Sequence, residues 1–238
     1  MKIKNSHAIL ISPNTRKNIS LTAEQKNITI TLKEGAFLVV YDQGCVHTAS
    51  FYLEKNATLH FFTVITKSVS RNIKVFLNGH NARAYVNGVY LLDGKKKVSL
   101  KTVQEHNEPG AHSHLVLRGV IAGHACMNHE GNIFVEKKAE KTVAQQNNKT
   151  IMLSPTARIK SLPALEVYNK NVRCSHGTAA GSFDQQHLFY LRSRGLSEEH
   201  AKQIFLEVFL TLPFSGLDDK TIKKKFSECI TKKLQEMV

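Results

Sequence analysis

The stretch VRCSHGTAAGSFDQQHLFYLRSRGLS (residues 172–197) marks a change in the hydrophobic pattern of the chain. Before it, apolar and polar residues alternate in short runs, as in NITITL (27–32) and ATLHFFTVI (57–65). After it, apolar residues recur at helical spacing. Because period two predicts strands and period 3.6 predicts helices, we expect a β body over 1–181 and a smaller helical domain over 182–238.

Strand-like runs continue through most of the β body. The others are AFLVVY (36–41), NIKVFL (72–77), ARAYVNGVYLL (82–92), KVSLKTV (97–103), SHLVLRGVIA (113–122), NIFVE (132–136), TIMLS (150–154) and ALEVY (164–168). Such short strands at fairly regular spacing fit a sandwich, a barrel or a β-solenoid. Loose self-similarity and few Asn-Gly hairpin signals favour the solenoid slightly.

The helical part begins with LFYLRSRG (188–195), whose glycine is a natural helix stop. Ser197 is positioned to cap a second helix, in which five apolar residues share the spacing of one face: Ala201, Ile204, Phe205, Val208 and Phe209. LPFSG (212–216) separates it from a third helix over about 218–237. These residues are most simply a core, and any that three helices cannot bury would form a groove for a partner.

The composition is that of an ordinary globular protein. Of 238 residues, 42% are hydrophobic and 22% are charged. No apolar run is long enough to span a membrane, and AILI (8–11) is too short for a signal peptide, so we expect a cytoplasmic protein. The four cysteines include no C-x-x-C pair, which argues against a zinc ribbon or a thioredoxin-type redox motif.

The formal net charge of +14 raises the possibility of nucleic acid as a partner. Basic residues are spread along the chain, however, with local runs only at GKKK (94–97) and KTIKKK (220–225). Aromatic residues are not interleaved with them. A basic solenoid that binds nucleic acid or another polyanion therefore remains the alternative hypothesis and is not the favoured one.

Cys174 and His176 are the first candidate chemical pair. In an extended segment, residues two apart lie on one side, and a thiol with an imidazole suits iron or zinc. Spacing alone favours the simpler interpretation, in which Cys174 is a small core residue and His176 is a hydrogen-bonded turn residue.

Two further histidine clusters could hold a metal. EHNEPGAHSH (105–114) contains His106, His112 and His114, and GHACMNHEG (123–131) contains His124 and His129. We favour polar turns for both, with a metal-dependent enzyme as a third hypothesis. No phosphate-binding loop, dinucleotide fingerprint, nucleophile elbow or H-E-x-x-H motif is found in the sequence, and we expect no enzymatic activity.

PALEVYNKNVRCSHGTAAGSFDQQHLFYLRSRGLSEEHAKQIF (163–205) closely resembles the SufB/SufD family of iron–sulfur cluster assembly scaffolds. That family has a Pro-x-Leu strand, a C-S-H-G turn and an LFYLRSRG helix in this order. KTVAQQNNKTIMLSPTARIKSLPALEV (141–167) extends the resemblance, which covers about 131–210. The SufD branch is the more similar, because the turn reads C-S-H-G and no cysteine precedes the strand.

The resemblance implies a right-handed parallel β-helix followed by helices that dock a SufC-type ABC ATPase. The implied docking region comprises Phe189, Tyr190, Arg192, Arg194 and Phe205. It also implies pairing, through the β-helix, with a SufB-type chain or a second copy. A transient iron–sulfur cluster would form at that interface near His176, with Cys174 beside it and no metal bound permanently.

Two departures from the family pattern stand out. The chain is shorter than usual members, and we expect it to lack their N-terminal helical region. The family's H-x-A-P stretch has only a loose counterpart in EHNEPGAHSH (105–114).

Overall fold

The computed structural model describes residues 6–21, 26–183 and 185–237. Within them, fourteen strands form two seven-stranded parallel sheets, one of odd-numbered and one of even-numbered strands. The odd-numbered strands are β1 (Ser6–Ile11), β3 (Asn27–Leu32), β5 (Thr48–Leu53), β7 (Val69–Leu77), β9 (Lys97–His106), β11 (Cys126–Val135) and β13 (Arg158–Val167). The even-numbered strands are β2 (Arg16–Leu21), β4 (Phe37–Asp42), β6 (Thr58–Ile65), β8 (Arg83–Leu92), β10 (His112–Ile121), β12 (Val143–Met152) and β14 (Arg173–Gly181).

Each coil of the chain therefore contributes one strand to each sheet. Every pairing between these strands is parallel, as in the register of β10 with β8 and with β12. A hairpin-built sandwich or barrel would pair its strands antiparallel. The predicted β-solenoid is confirmed.

The coils lengthen along the solenoid. Asn27 lies opposite Thr48 in an early coil, whereas Arg83 lies opposite His112 and His112 opposite Val143 further along, so the chain between paired residues becomes longer. The strands lengthen with the coils, from six residues in β3, β4 and β5 to ten in β8 through β13. The solenoid is consequently tapered, and its wide end is the C-terminal one.

A left-handed residue stands two positions before most of the even-numbered strands. These residues have φ between 52° and 71° and are Asn14, Gly35, Asn56, Asn81, Gly110 and Lys141. Asparagine and glycine adopt this conformation most readily. The corners also stack, because the Asn56 N–H donates to the His80 carbonyl oxygen at 2.9 Å and the Asn81 N–H to that of Pro109 at 3.0 Å. A repeat in the corners thus sets the coil spacing.

Among the described residues, the interior of the early coils is apolar apart from the ion pair of Arg71 with Asp42 and the Thr63 hydroxyl bonded to it. Phe51 and Phe61 pack with ring centroids 5.5 Å apart inside a cluster of aliphatic side chains. Arg71 is fully buried and forms an ion pair with Asp42. The Arg71 Nη1 also donates to Thr63 Oγ1 at 2.8 Å. Pairing and hydrogen bonding make this buried charge tolerable.

The interior of the later coils mixes apolar with polar side chains. Its buried polar side chains include Thr102, Gln104, His106, Ser113, His129, Gln146, Asn148 and Thr150. Tyr90 enters this region from the neighbouring apolar layer, and its hydroxyl donates to Asn148 Oδ1 at 3.0 Å. Gly119 makes room for the ring, since a Cβ at that position would lie 1.8 Å from a Tyr90 ring carbon.

The C-terminal segment forms helices α1 (Gln185–Ser193), α2 (Glu198–Thr211) and α3 (Lys220–Gln235), with a 3₁₀ turn at Leu212–Phe214. Ser197 caps α2 as predicted, accepting a hydrogen bond from the His200 N–H at 3.3 Å. None of the helices in the described ranges is long and apolar enough to cross a membrane.

The helices cover the outer face of the even-numbered sheet and form a second core with it. Sheet residues such as Tyr41, Phe62 and Val89 pack there with Phe214 and Phe226. The helices and the solenoid therefore share one hydrophobic layer.

The predicted stripe of α2 is only partly buried. Ala201, Leu206 and Leu210 face the core, whereas Ile204 and Val208 are exposed. The apolar residues of α2 extend around more of the helix than one face, and only the side that touches the sheet is covered.

Candidate functional site

The last coil forms an open end of the solenoid. Within the described ranges, β13 pairs only with β11 and β14 only with β12, so each leaves one edge unpaired. The side chains that continue the interior lack a covering coil, and Leu165 and Val167 are 36% and 38% exposed. Long edges with apolar neighbours are surfaces on which another chain can add strands.

Cys174 and His176 lie in this last coil. The predicted C-S-H-G turn is wrong, because both residues belong to β14. Cys174 is in register with Ala144 and His176 with Gln146, and both partners are buried inside the solenoid. The pair therefore shares the face that continues the interior, as the i, i+2 spacing suggested.

The two side chains differ in exposure. Cys174 is partly buried beside the cluster that contains Ile133 and Ala144, and burial raises the pKa of its thiol. His176 is exposed. The imidazole is therefore the accessible donor, and the thiol is held mainly in its protonated form.

His114 from the second candidate cluster lies in the same cleft as His176. The cleft has a volume of about 500 Å³ and lies where β10, β12 and β14 meet the 3₁₀ turn. Gln145, Asn147 and Ser175 also line it. The register of β10 with β12 and of β12 with β14 places His114 in line with Gln145 and Ser175 on the outer face, whereas His176 is the next residue of β14, on the opposite face.

Two of the remaining candidate histidines are buried core residues. His106 hydrogen-bonds through Nδ1 to the Phe134 carbonyl oxygen at 3.1 Å and through Nε2 to Ser113 Oγ at 2.9 Å. His129 Nε2 lies 3.1 Å from Thr102 Oγ1. Burial lowers the pKa of each to about 4, which keeps both imidazoles neutral at pH 7.

The candidate clusters do not form a metal site within the described residues. No group of three or more histidine, cysteine, aspartate or glutamate side chains is arranged there to hold a metal ion. The β-strand alternation separates His106 from His112 and His114, since His106 and Ser113 are buried between exposed or half-buried neighbours. His124 lies in an exposed turn. Polar corners and a polar interior account for these sequence clusters.

The residues of the predicted docking region differ in their surroundings. Phe189 and Tyr190 are 75% and 58% exposed on α1. Arg194 lies over the Tyr190 ring, 5.4 Å from its centroid, and Arg192 pairs with Glu198 at 3.3 Å. Phe205 packs on Phe183 with ring centroids 5.2 Å apart and is part of the second core.

The sequence did not show which apolar residues of the helices stay uncovered. In the structure Ile204 and Val208 of α2, and Leu212 of the 3₁₀ turn, are exposed. The sequence of α2 already indicated such exposure, because it carries more apolar residues than one packed face needs.

A model of the SufBD core domain, described as "SUF system FeS cluster assembly, SufBD core domain", matches residues 9–209. The chain belongs to the SufBD family. The matched region contains nearly all of both sheets, the open end with Cys174 and His176, and helices α1 and most of α2.

Several curated proteins support this membership. The chain is 29% identical over 174 residues to the iron–sulfur cluster assembly protein SufD of Escherichia coli (strain K12), covering 72% of this chain and 41% of that protein. It is 26% identical over 141 residues to a SufBD family protein of Synechocystis sp., covering 59% and 31%. A SufBD family protein of Mycobacterium bovis is 25% identical over 202 residues, covering 80% and 51%.

Within the SufBD family the chain is SufD-like, as the sequence motifs predicted. It spans about half or less of the length of these relatives.

Proposed function

We propose that the chain is a SufD-like, non-catalytic scaffold for iron–sulfur cluster assembly. It pairs through the open end of its solenoid with a SufB-type chain or a second copy, and it binds a SufC-type ABC ATPase through its helices. The observation that carries the proposal is the family match over 9–209, together with two donor residues in an uncovered coil.

The open end supports pairing with another solenoid. β13 and β14 have ten and nine residues, and each leaves a row of backbone groups unpaired along one edge. Leu162 and Tyr168 are exposed on the same coil. A partner that adds strands here satisfies the backbone and covers apolar surface at the same time.

The donors at this end suit a cargo that must leave again. His176 provides an accessible imidazole and Cys174 a nearby thiol, so one chain supplies two ligands at most. Iron–sulfur clusters take four cysteine ligands in permanent sites. We propose that the remaining ligands come from the partner, and that separation of the two chains then weakens the hold on the cluster.

The exposed apolar residues of α1 and α2 support the docking of a second partner. Phe189 and Tyr190 present aromatic surface beside Arg194, a combination that is common at the centre of interfaces. We propose this surface for the ATPase, and residues 182–238 as the helical unit that carries it.

One co-expression experiment tests both halves of the proposal. The tagged chain is expressed with its cognate SufC-type ATPase and SufB-type protein, and the purified assembly is measured for ATPase content, iron and acid-labile sulfide. Deletion of the helices is a poor probe, because it would uncover Tyr41, Phe62 and Val89 on the sheet. Single surface variants avoid that problem.

We expect Phe189→Asp to lower ATPase recovery at least about tenfold, since a charge replaces an aromatic contact. Leu10→Asp, at an exposed apolar residue of the narrow end, is the matched control and should retain the ATPase. His176→Ala should retain both partners and lose iron and sulfide, whereas His124→Ala, at another exposed histidine, should lose neither. Absence of the ATPase from the intact assembly, or unchanged loading of His176→Ala, would contradict the proposal.

A further inference from the structure

Arg118 is a buried cation on the outer face of the even-numbered sheet. It belongs to β10 and is only 9% exposed. Its Nη1 donates to the Leu117 carbonyl oxygen at 2.9 Å and to Asn147 Oδ1 at 2.8 Å, and its guanidinium carbon lies 5.7 Å from the Phe209 ring centroid. The side chain is thus held in one place between the sheet and α2.

No acidic side chain balances this charge in the part of the chain that the structure describes. Arg118 forms no ion pair there, and its Nε and Nη2 have no hydrogen-bond partner there. Burial lowers the pKa of Arg118, and the electrostatic contribution that raises it comes from the Tyr90 phenol. Partial burial of a guanidinium without a counter-charge is costly, and its free N–H groups open onto the adjoining clefts, so the site favours an anion.

A second cation lies beside it. Lys149 of β12 is in direct register with Arg118, on the same face of the sheet. Like charges that face each other across strands destabilise a sheet. An anion bound between them would turn the repulsion between the two cations into a net attraction. The planar guanidinium is also suited to two parallel hydrogen bonds with an oxyanion.

Arg118 lies where two clefts meet, and Lys149 lines the second of them. The first, of about 500 Å³, contains His114, Gln145, Asn147 and Ser175. The second, of about 480 Å³, contains Lys149 and the apolar residues Ile151, Phe205 and Phe209. Arg118 and Leu212 line both, and no described residue that lines either cleft is acidic. Such volumes suit a small molecule better than a protein segment.

We propose that Arg118 and Lys149 form a binding site for a small free oxyanion, a phosphate or a carboxylate. Arg118 supplies the fixed, directional contact and Lys149 a mobile second charge. This site does not depend on the proposed role in cluster assembly, because its argument uses only the burial and the charges of these clefts.

The test uses the intact chain with inorganic phosphate as the probe and succinate as a second probe, at constant ionic strength set with chloride. Binding is followed by the side-chain NMR signal of Arg118 Nε and by the thermal unfolding midpoint. We expect a saturable shift of the Arg118 signal and a rise of the midpoint with at least one probe, which also shows whether phosphate or carboxylate is preferred.

Arg118→Gln should weaken binding at least about tenfold, because a charge-assisted contact is lost, and Lys149→Gln about threefold, because exposed charges contribute less. Arg158→Gln, at an exposed arginine of the other sheet, is the matched control and should bind as the unaltered chain does. Lys149 is exposed, so its variant reports on the site even if Arg118→Gln folds poorly. Absence of saturable binding with both probes, or equal weakening by Arg158→Gln, would overturn the proposal.

Discussion

The early and late coils of the solenoid share one backbone plan but have different interiors. In the early coils, phenylalanine, isoleucine, leucine and valine fill the space between the sheets, around the single Arg71–Asp42 pair found among the described residues. In the late coils, histidine, glutamine, asparagine and threonine share the equivalent positions with aliphatic residues such as Leu100, Leu117 and Ile133. The backbone ladders are alike in both regions, so the sheets do not require an apolar interior at every level.

The difference suggests that the early coils mainly stabilise the fold and that the late coils lead to the candidate functional site. Apolar burial in the early coils contributes strongly to the driving force for folding. The polar interior leads toward the end that holds His176 and the unpaired edges. Substitutions there cost less apolar packing. Three predictions test this division between stabilising early coils and late coils near the candidate site.

The largest effect is expected in the early coils. Phe61→Ala removes a fully buried ring that packs on Phe51, and it should lower the free energy of unfolding by about 3–5 kcal/mol through lost burial and the cavity that remains. Urea unfolding followed by circular dichroism measures it. A loss below about 1 kcal/mol would mean that the early coils are not the stabilising region.

An intermediate effect is expected from pH in the late coils. Burial lowers the pKa of His129 from 6.5 to about 4, so the unfolded chain binds a proton in this interval that the folded chain does not. Stability is therefore retained above pH 6.5 and lost as the pH falls toward 4, by about 2 kcal/mol between pH 7 and pH 4.5 for this residue.

His129→Gln should remove that part of the pH dependence while keeping hydrogen-bonding capacity. Urea unfolding at pH 7 and at pH 4.5 gives the difference. His200→Gln, at an exposed histidine of α2, is the control. If both variants kept the full pH dependence of the unaltered chain, His129 would not be the group that makes the free energy of unfolding depend on pH.

The smallest effect is expected at Gln104. Both atoms of its buried amide lack a hydrogen-bond partner among the described residues. Gln104→Leu replaces the unsatisfied amide with an apolar side chain of similar size and should raise the free energy of unfolding by about 1 kcal/mol. A decrease of that size would instead show that water satisfies the amide and that the polar interior is hydrated.

The sequence pattern predicted a β body and a helical unit because burial on one face leaves a periodic trace, whereas the choice of a solenoid was only slightly favoured by the pattern and was implied by the family resemblance. It did not predict β14, since the inner face of the last coil is uncovered and RCSHGTAAG has no apolar alternation. The corner repeat was visible as Asn-Ala or Gly-Ala before several even-numbered strands, at Gly35, Asn56, Asn81 and Gly110. The interval between successive corners grows along the chain, which hides the repeat from a search for a fixed period.

The candidate site was predictable only in part. The motif around Cys174 and His176 identified the family, but spacing alone favoured packing. That His114 and His176 line one cleft, and that Arg118 has no acidic partner among the described residues, depends on which strands are neighbours. The register of β10, β12 and β14 cannot be predicted from a single sequence in which the repeat length is not constant.

The taper also determines how copies of such a molecule can stack. β3 and β4, toward the narrow end, have six residues each, whereas β13 has ten and β14 nine. Joining a wide end to a narrow end would leave part of each longer edge without partners. Joining two wide ends matches edge with edge and closes the assembly, since identical surfaces meet about a two-fold axis. The taper therefore favours a finite pair over an open-ended filament.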